Sequence, residues 1–377
     1  VLSAPLKTQW DPVWFHLRVL VQHIGVMVVM KKNKKYISRL DIKNSVINMS
    51  HGSGGLAMTQ LIDELFVKHF DNELLSQSND QAIFTTEPGR MAMSVDGHVV
   101  SPLFFPGGDI GSLSVHGTIN DVAMSGAKPL YLTASFILEE GYPLLDLEKI
   151  VISMAKAAND AGVSIVTGDT KVVEKGNGDG VFITTTGIGI VPKGINISGN
   201  RAQVGDAIIV NGSMGDHGVV IMSSRANLEF ETTLESDSAA LHTLVADMVN
   251  IAPNIHCLRD PTRGGLATTL NELALQSDVG VKLYESEIPI KPGVLSSCEL
   301  LGLDPLYVAN EGKLICICPK ENADQLLSTM KAHPLGKDAA IIGEVIEDNN
   351  NFVQMKTKFG GTRIVDWISG EQLPRIC

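Results

Sequence analysis

The sequence predicts an α+β fold in two domains, and three observations carry that reading. Its 377 residues exceed what one hydrophobic core usually serves. From about residue 47, apolar runs of strand length alternate with stretches of helical periodicity. A short Pro/Gly break at Val191-Pro192-Lys193-Gly194 separates two such mixed halves. The predicted division is an N-terminal extension outside the fold (1–46), a first domain (47–194), a second (195–350) and a C-terminal segment (351–377).

Composition narrows the class. With 44% hydrophobic and 19% charged residues the chain reads as globular rather than disordered. Thirty basic against 42 acidic residues give a net charge of −12, which argues against a nucleic-acid or anionic-membrane surface. The five cysteines are Cys257, Cys298, Cys316, Cys318 and Cys377. Their number is odd and no pair has CxxC spacing, so neither a disulfide framework nor a four-cysteine zinc site is expected, and a reducing cytoplasm is. Cys316 and Cys318 alternate with Ile315 and Ile317, as small filler in a buried strand would.

In the first 46 residues, Val19 to Met30 is apolar but too short to span a bilayer, and the lysines Lys31, Lys32, Lys34 and Lys35 follow it, the reverse of a signal peptide. At Met49-Ser50-His51-Gly52-Ser53-Gly54-Gly55 a glycine-rich loop enters a helical pattern, Leu56 to Phe66. Such a loop either turns its amides toward a phosphate or is simply a turn; it lacks the Gly-Lys-Ser/Thr ending of a Walker loop. Strands are predicted at Ala82–Phe84 and Met91–Val95, with Asp80 and Asp96 at their edges. A helix over 110–125 carries Asn120-Asp121 and stops at Gly126, and a second covers 147–161 before Gly162. A strand over 163–166 leads straight to Thr167-Gly168-Asp169-Thr170-Lys171, and another covers 181–185.

The second half opens with a strand over 206–210 and the loop Asn211-Gly212-Ser213-Met214-Gly215-Asp216-His217-Gly218. A helix is expected over 238–249. Asp260-Pro261-Thr262-Arg263-Gly264-Gly265 opens another, with Leu266, Leu270, Leu273 and Ala274 on one face. Further strands are predicted over 281–284, 314–318 and 340–345. The chain as given ends Pro374-Arg375-Ile376-Cys377. Pro374 keeps this stretch out of a helix or central strand. It is either a frayed end or a tether carrying a thiol between two sites.

Asp80, Asp96, Asp121 and Asp169 fall where elements of the first half end, and Asp260 adds an acid from the second. Carboxylates gathered from separate segments suit Mg²⁺, which binds through a few of them together with substrate phosphates, and Lys171 could meet a terminal phosphate. Singly, each aspartate is equally a helix or turn cap.

Several segments carry a resemblance. Asn120-Asp121-Val122-Ala123-Met124-Ser125-Gly126-Ala127, Gly168-Asp169-Thr170 and Asp260-Pro261-Thr262-Arg263-Gly264-Gly265-Leu266 resemble the signatures of the aminoimidazole-ribonucleotide synthetase (PurM-like) superfamily of ATP-using enzymes. Within it, His51-Gly52-Ser53-Gly54-Gly55, Pro102-Leu103-Phe104-Phe105-Pro106-Gly107-Gly108, Val166 to Val173, Met214-Gly215-Asp216-His217-Gly218, Ala309-Asn310-Glu311-Gly312-Lys313 and the tail Pro374 to Cys377 resemble the HypE-type carbamoyl dehydratases of hydrogenase maturation. The likeness runs from about Ile47 to the end. It implies an ATP-binding α/β domain with a half-barrel sheet, an α/β sandwich domain and a mobile C-terminal tail.

The same resemblance implies an activity: a carbamoyl group on Cys377 is dehydrated with ATP to a thiocyanate that supplies cyanide for the iron of a NiFe hydrogenase. It implies Cys377 as carrier, with Glu311 and Lys171 sharing proton removal and phosphate contact in an order left open. It implies Asp80, Asp96, Asp121, Asp169 and Asp260 as Mg²⁺ ligands. His51, Gly52, Gly54, Gly55, Asn120, Gly168, Thr170 and Lys171 would line the ATP. Implied partners are the carbamoyltransferase HypF as donor, a HypC–HypD complex as acceptor, and a second copy in a homodimer. Residue by residue, Glu311 could instead be a turn acid, His51 a loop cap and Arg375 an exposed charge. The alternatives at the level of function are a small-molecule kinase of the same superfamily and a non-catalytic ATP-responsive adaptor.

Overall fold

The structure, a computed structural model, describes residues 39–53, 55–77, 81–225, 234–367 and 375–377. The chain divides after Arg39, and the body from Leu40 to Cys377 carries all the described secondary structure. That body begins earlier than the expected boundary at 47. The Leu40 amide donates to Glu64 at 2.8 Å, Leu40 and Ile42 pack on the core, and Val46 bridges Pro143. Residues 40–46 thus belong to the fold, because their apolar side chains cover the first domain's core.

The first domain opens with α1 (Leu56–Leu61), a wide helical turn (Ile62–Phe66) and α2 (Val67–Phe70). Its strands are β1 (Arg90–His98), the short ribbon β2 (Phe104–Phe105) and β3 (Gly108–Asp109), β4 (Lys128–Glu139), β5 (Ser164–Val173) and β6 (Val181–Val191). Two helices, α3 (Ile110–Ala123) and α4 (Leu144–Asp160), complete it. Asp109 caps α3 by accepting from the Gly111 and Ser112 amides at 2.7 and 3.1 Å, while Ser112 Oγ receives the Asp109 amide, a reciprocal capping box. The main sheet runs β1-β6-β4-β5, with β4 and β5 parallel and the other pairs antiparallel. Helix α3 lies close against it: a Cβ on Gly189 of β6 would stand 2.6 Å from Val122 Cγ1.

Three strand expectations change, one of them the strand expected over 181–185, which runs on to Val191. Ala82–Phe84 forms no strand; Phe84 instead rests on Tyr131, ring centroids 4.4 Å apart. The strand expected to stop at Val166 continues to Val173, so Gly168, Asp169, Thr170 and Lys171 lie within β5 rather than in a loop after it. β5 is an edge strand, where polar side chains reach solvent without breaking the ladder.

The second domain contains α5 (Asp216–Arg225), α6 (His242–Ile251), α7 (Gly265–Ser277), α8 (Pro292–Leu301) and α9 (Ala323–Ala332). Its seven strands are β7 (Ala207–Val210), β8 (Cys257–Arg259), β9 (Gly280–Tyr284), β10 (Ile315–Cys318), β11 (Ala340–Ile346), β12 (Val353–Lys356) and β13 (Thr362–Ile364), in the order β13-β12-β9-β11-β7-β10-β8. The central strands are apolar on both faces. Ile209, Cys316 and Cys318 meet Leu244, Met248 and Met330 of α6 and α9, whereas Ile208, Ile315 and Ile317 meet Leu266, Leu270 and Leu273 of α7. Cys316 and Cys318 are therefore packing residues.

The helix expected from Ser238 begins at His242. Residues 234–241 form a strap that returns to the first domain. Asn120 of α3 holds it, donating from Nδ2 to Ala239 O (3.0 Å) and Glu311 O (3.3 Å) and accepting the Leu241 amide (2.8 Å). The last three residues, expected to be mobile, are seated: Ile376 is buried in the first domain's core cluster and Cys377 packs against it.

Candidate active site

Four acids and a thiol from both domains and the tail share one neighbourhood. Asp96 comes from β1, Asp121 from the last turn of α3, Asp260 from the loop after β8, Glu311 from the loop before β10, and Cys377 from the tail. Their mutual influence marks their proximity. Burial and the Asp96 charge raise the Asp121 carboxyl, although the Ser94 hydroxyl donates to it at 2.7 Å. Burial, then Asp121 and Asp96, push Asp260 up to about 7. Glu311 is 4% exposed, has no hydrogen-bond partner at Oε1, and is held well above the carboxylate range by burial and then by Asp260, Asp237, Asp96 and Asp121. The Cys377 thiol is raised by burial and then by Glu311, with Asp96 and Asp260 adding and Arg263 opposing. Such a set of unneutralised carboxylates is the donor chemistry that a hard divalent cation satisfies. Among the described residues no three acidic, histidine or cysteine side chains already stand in ligand geometry.

A second group lies elsewhere. Lys171 Nζ pairs with Asp169 at 2.7 Å, and that hydrogen bond holds the Asp169 carboxyl below its usual range. Across the sheet Asp96 pairs with Thr185, Thr185 with Ala134 and Ala134 with Gly168, so this group is three strand spacings, about 14 Å, from Asp96. Asp169 and Lys171 also alternate with buried Thr170, which puts them on the sheet face opposite the helices. The expectation that Asp169 and Lys171 join the other acids fails within one chain, for reasons of register and face. Beside them is a cavity of about 120 Å³ lined by Met58, Phe66, Phe70, Phe136, Gly168 and Thr170 among others.

The remaining expected residues have structural duties in the chain. His51 is buried and its Nδ1 accepts the Asn48 amide at 3.1 Å, so it caps its loop; burial lowers its pKa. A Cβ on Gly52 would stand 2.8 Å from the Val172 amide, so the loop lies tightly over β5. Gly168 is equally constrained: a Cβ there would stand 2.1 Å from the Ala134 carbonyl oxygen. Gly55 precedes α1 with open space around it. Asn120, expected at the nucleotide, spends its carboxamide on the strap and is 1% exposed. Asp80 and Gly54 lie outside the described residues.

Three participants were not singled out from the sequence. Arg263 offsets the charge around Cys377 and belongs to the segment that opens α7 at Asp260. Burial raises the Asp237 carboxyl, but the Lys313 charge and the hydrogen bonds it receives hold it below its usual range; it accepts from Lys313 at 2.9 Å and from the Glu311 amide at 3.2 Å. His98, 1% exposed, stands 3.7 Å from Asp96. No helix among the described residues is long and apolar enough to cross a membrane.

Comparison with known proteins follows the same division. Residues 78–191 match the family described as AIR synthase related protein, N-terminal domain, and residues 203–356 match its C-terminal domain counterpart. The carbamoyl dehydratase HypE of Cupriavidus necator is 67% identical over 91% of this chain and 98% of its own length. A crystal structure of the hydrogenase maturation protein HypE in complex with ATP superposes with a TM-score of 0.85 at 51% identity, covering 87% of this chain and 99% of that one. A HypE–HypF complex gives 0.72 at 49% identity, over 82% and 99%. The chain belongs to the HypE family of carbamoyl dehydratases, built on the two AIR synthase related domains.

Proposed function

We propose that this protein carries a carbamoyl group on Cys377 and dehydrates it, at the expense of ATP, to a thiocyanate whose cyanide goes to the iron of a NiFe hydrogenase. The single observation that carries the reading is the seating of Cys377 among Glu311, Asp96, Asp260 and Arg263. Bound Mg-ATP supplies the phosphoryl group that turns the amide oxygen into a leaving phosphate. Two protons leave the nitrogen as the C≡N bond forms: Glu311, raised by burial and like charges and with Oε1 unengaged, would accept one once a bound cation lets it ionise, and the departing phosphate would carry the other. Asp96, Asp121 and Asp260 would hold the cation, whose charge would relieve the like-charge repulsion that raises Asp121 and Asp260. Arg263 tempers the negative field around the sulfur.

Lys171 and Asp169 complete the site from a second copy of the chain. Support comes from their separation from Asp96 and from the apolar outer face of their sheet, where Met91, Met93, Val95 and Ile137 lie exposed. Two such faces packed together would cover that surface and bring one copy's Lys171 toward the other's acids. The cavity beside Gly168 suits an adenine ring. HypF is the carbamoyl donor, in line with the HypE–HypF complex, and a HypC–HypD complex is the cyanide acceptor. The free state of all five cysteines fits a reducing cytoplasm. Mass spectrometry of the tail peptide after incubation with HypF, its substrates and ATP tests the reading: Cys377 should gain a carbamoyl group and then lose water. An unmodified cysteine overturns it.

A further inference from the structure

The segment Met214-Gly215-Asp216-His217-Gly218, expected as a loop, is a turn that enters α5 at Asp216; it has no part in that chemistry, yet it is fixed with care. Gly215 adopts φ +90° and its amide donates to Asn310 Oδ1 at 2.7 Å, while the Gly218 amide donates to Ala309 O at 3.0 Å. A Cβ on Gly218 would meet Val308 at 2.4 Å. The loop is thereby locked to the segment that carries Glu311. His217, fully buried at the start of α5, projects from it toward the tail.

The ring of His217 is saturated. Its Nε2 lies 2.8 Å from the Ile376 carbonyl oxygen, and its Nδ1 lies 2.7 Å from Ser236 Oγ. A carbonyl only accepts, so Nε2 bears the proton and Nδ1 accepts from the Ser236 hydroxyl. Ser236 is in turn fixed: its amide donates to Pro106 O at 2.9 Å and its Oγ accepts the Ser238 amide at 3.2 Å. Phe105 meets the imidazole edge-on, centroids 5.5 Å apart. The tail backbone is held on its other side by the Val99 amide on Cys377 O (2.9 Å) and the Ser101 amide on Arg375 O (3.2 Å). Arg375 pairs with Asp179 at 2.6 Å, outside the core.

We propose that His217, with its other ring nitrogen engaged by Ser236, is the positioning residue for the carrier tail: it holds the Ile376 carbonyl so that the adjoining thiol stands in register with Glu311. The inference rests on the carrier reading of Cys377 but is tested apart from it. His217→Leu removes the donor and leaves the Ile376 carbonyl unpaired in an apolar setting. The rate at which iodoacetamide alkylates Cys377, followed on the tail peptide, should rise by about tenfold. His217→Gln, which can still donate to the carbonyl, should stay near the wild-type rate. Ile376→Asp unseats the tail from its own side, and His217→Leu added to it should give no further rise. In a chain lacking residues 375–377, His217→Leu should lower the melting temperature only by what the lost Ser236 hydrogen bond costs, whereas in the full chain the same substitution should lower it by several degrees more. Equal losses in both chains, or an alkylation rate indifferent to His217→Leu, would overturn the proposal even if the wild-type cysteine is carbamoylated. A cysteine that is never carbamoylated but becomes reactive in His217→Leu would overturn the carrier reading alone.

Discussion

Lys313 Nζ stands 2.9 Å from Asp237 Oδ2, with both side chains largely shut off from solvent, and the other Asp237 oxygen accepts the amide of Glu311. A buried charge of this kind depends on its partner. Lys313→Met should cost about 3–5 kcal/mol, since it strands the carboxylate. Urea denaturation checks this. A loss below about 1 kcal/mol would mean that the Glu311 amide and water suffice.

The acids set a pH dependence of stability in the metal-free protein. Asp260 has a folded-state pKa near 7 against about 4 for an unfolded aspartate, so between those values the native state binds more protons than the unfolded one. Stability should therefore fall as pH rises from about 4 to 7 and level off above. Asp121 and Glu311 are shifted the same way and add to the slope. Asp260→Asn should flatten it, and saturating Mg²⁺ should reverse it, because the cation binds the ionised form. Melting curves across that range decide the matter; a slope unchanged by Asp260→Asn would contradict the assignment.

Nucleotide binding and group transfer should separate cleanly. Asp121→Asn should weaken Mg-ATP binding by at least tenfold in calorimetry, since one proposed ligand of the cation is lost. Cys377→Ala should bind Mg-ATP as the wild type does and accept no carbamoyl group by mass spectrometry.

Met93 is 72% exposed on the outer face of β1, flanked by Met91 and Val95. Met93→Asp should convert a dimer to a monomer in sedimentation velocity and abolish ATP turnover, with little change in the monomer's fold. A wild type that sediments as a monomer at micromolar concentration would remove Lys171 from the proposed site.

These predictions draw unevenly on what the letters reveal. Asp121, Asp260 and Glu311 stood out because each sits in a segment with its own signature, Asp96 only as an acid at the end of a predicted strand, and the filler role of Cys316 and Cys318 followed from their alternation with isoleucine. The location of Asp169 and Lys171 was not, since strand order and facing are long-range properties that a Gly-Asp pair in an edge strand disguises as a loop. Asn120 has the composition of a ligand, and only the return of the strap reveals that its amide is fully engaged. Ser236 and Asp237 lie in polar sequence that reads as an ordinary connection. The earlier start of the body, at Leu40, rests on scattered apolar contacts with no periodicity to announce them.

The grip of Asn120 on the strap also bears on how the molecule comes apart. A single carboxamide at the end of α3 ties three backbone groups of the other domain, and apolar residues of α3 such as Val122 and Ala123 belong to the same cluster as Leu244 and Met248 of α6. Loss of order in either lobe therefore strips the other of three backbone hydrogen bonds and part of its apolar cover.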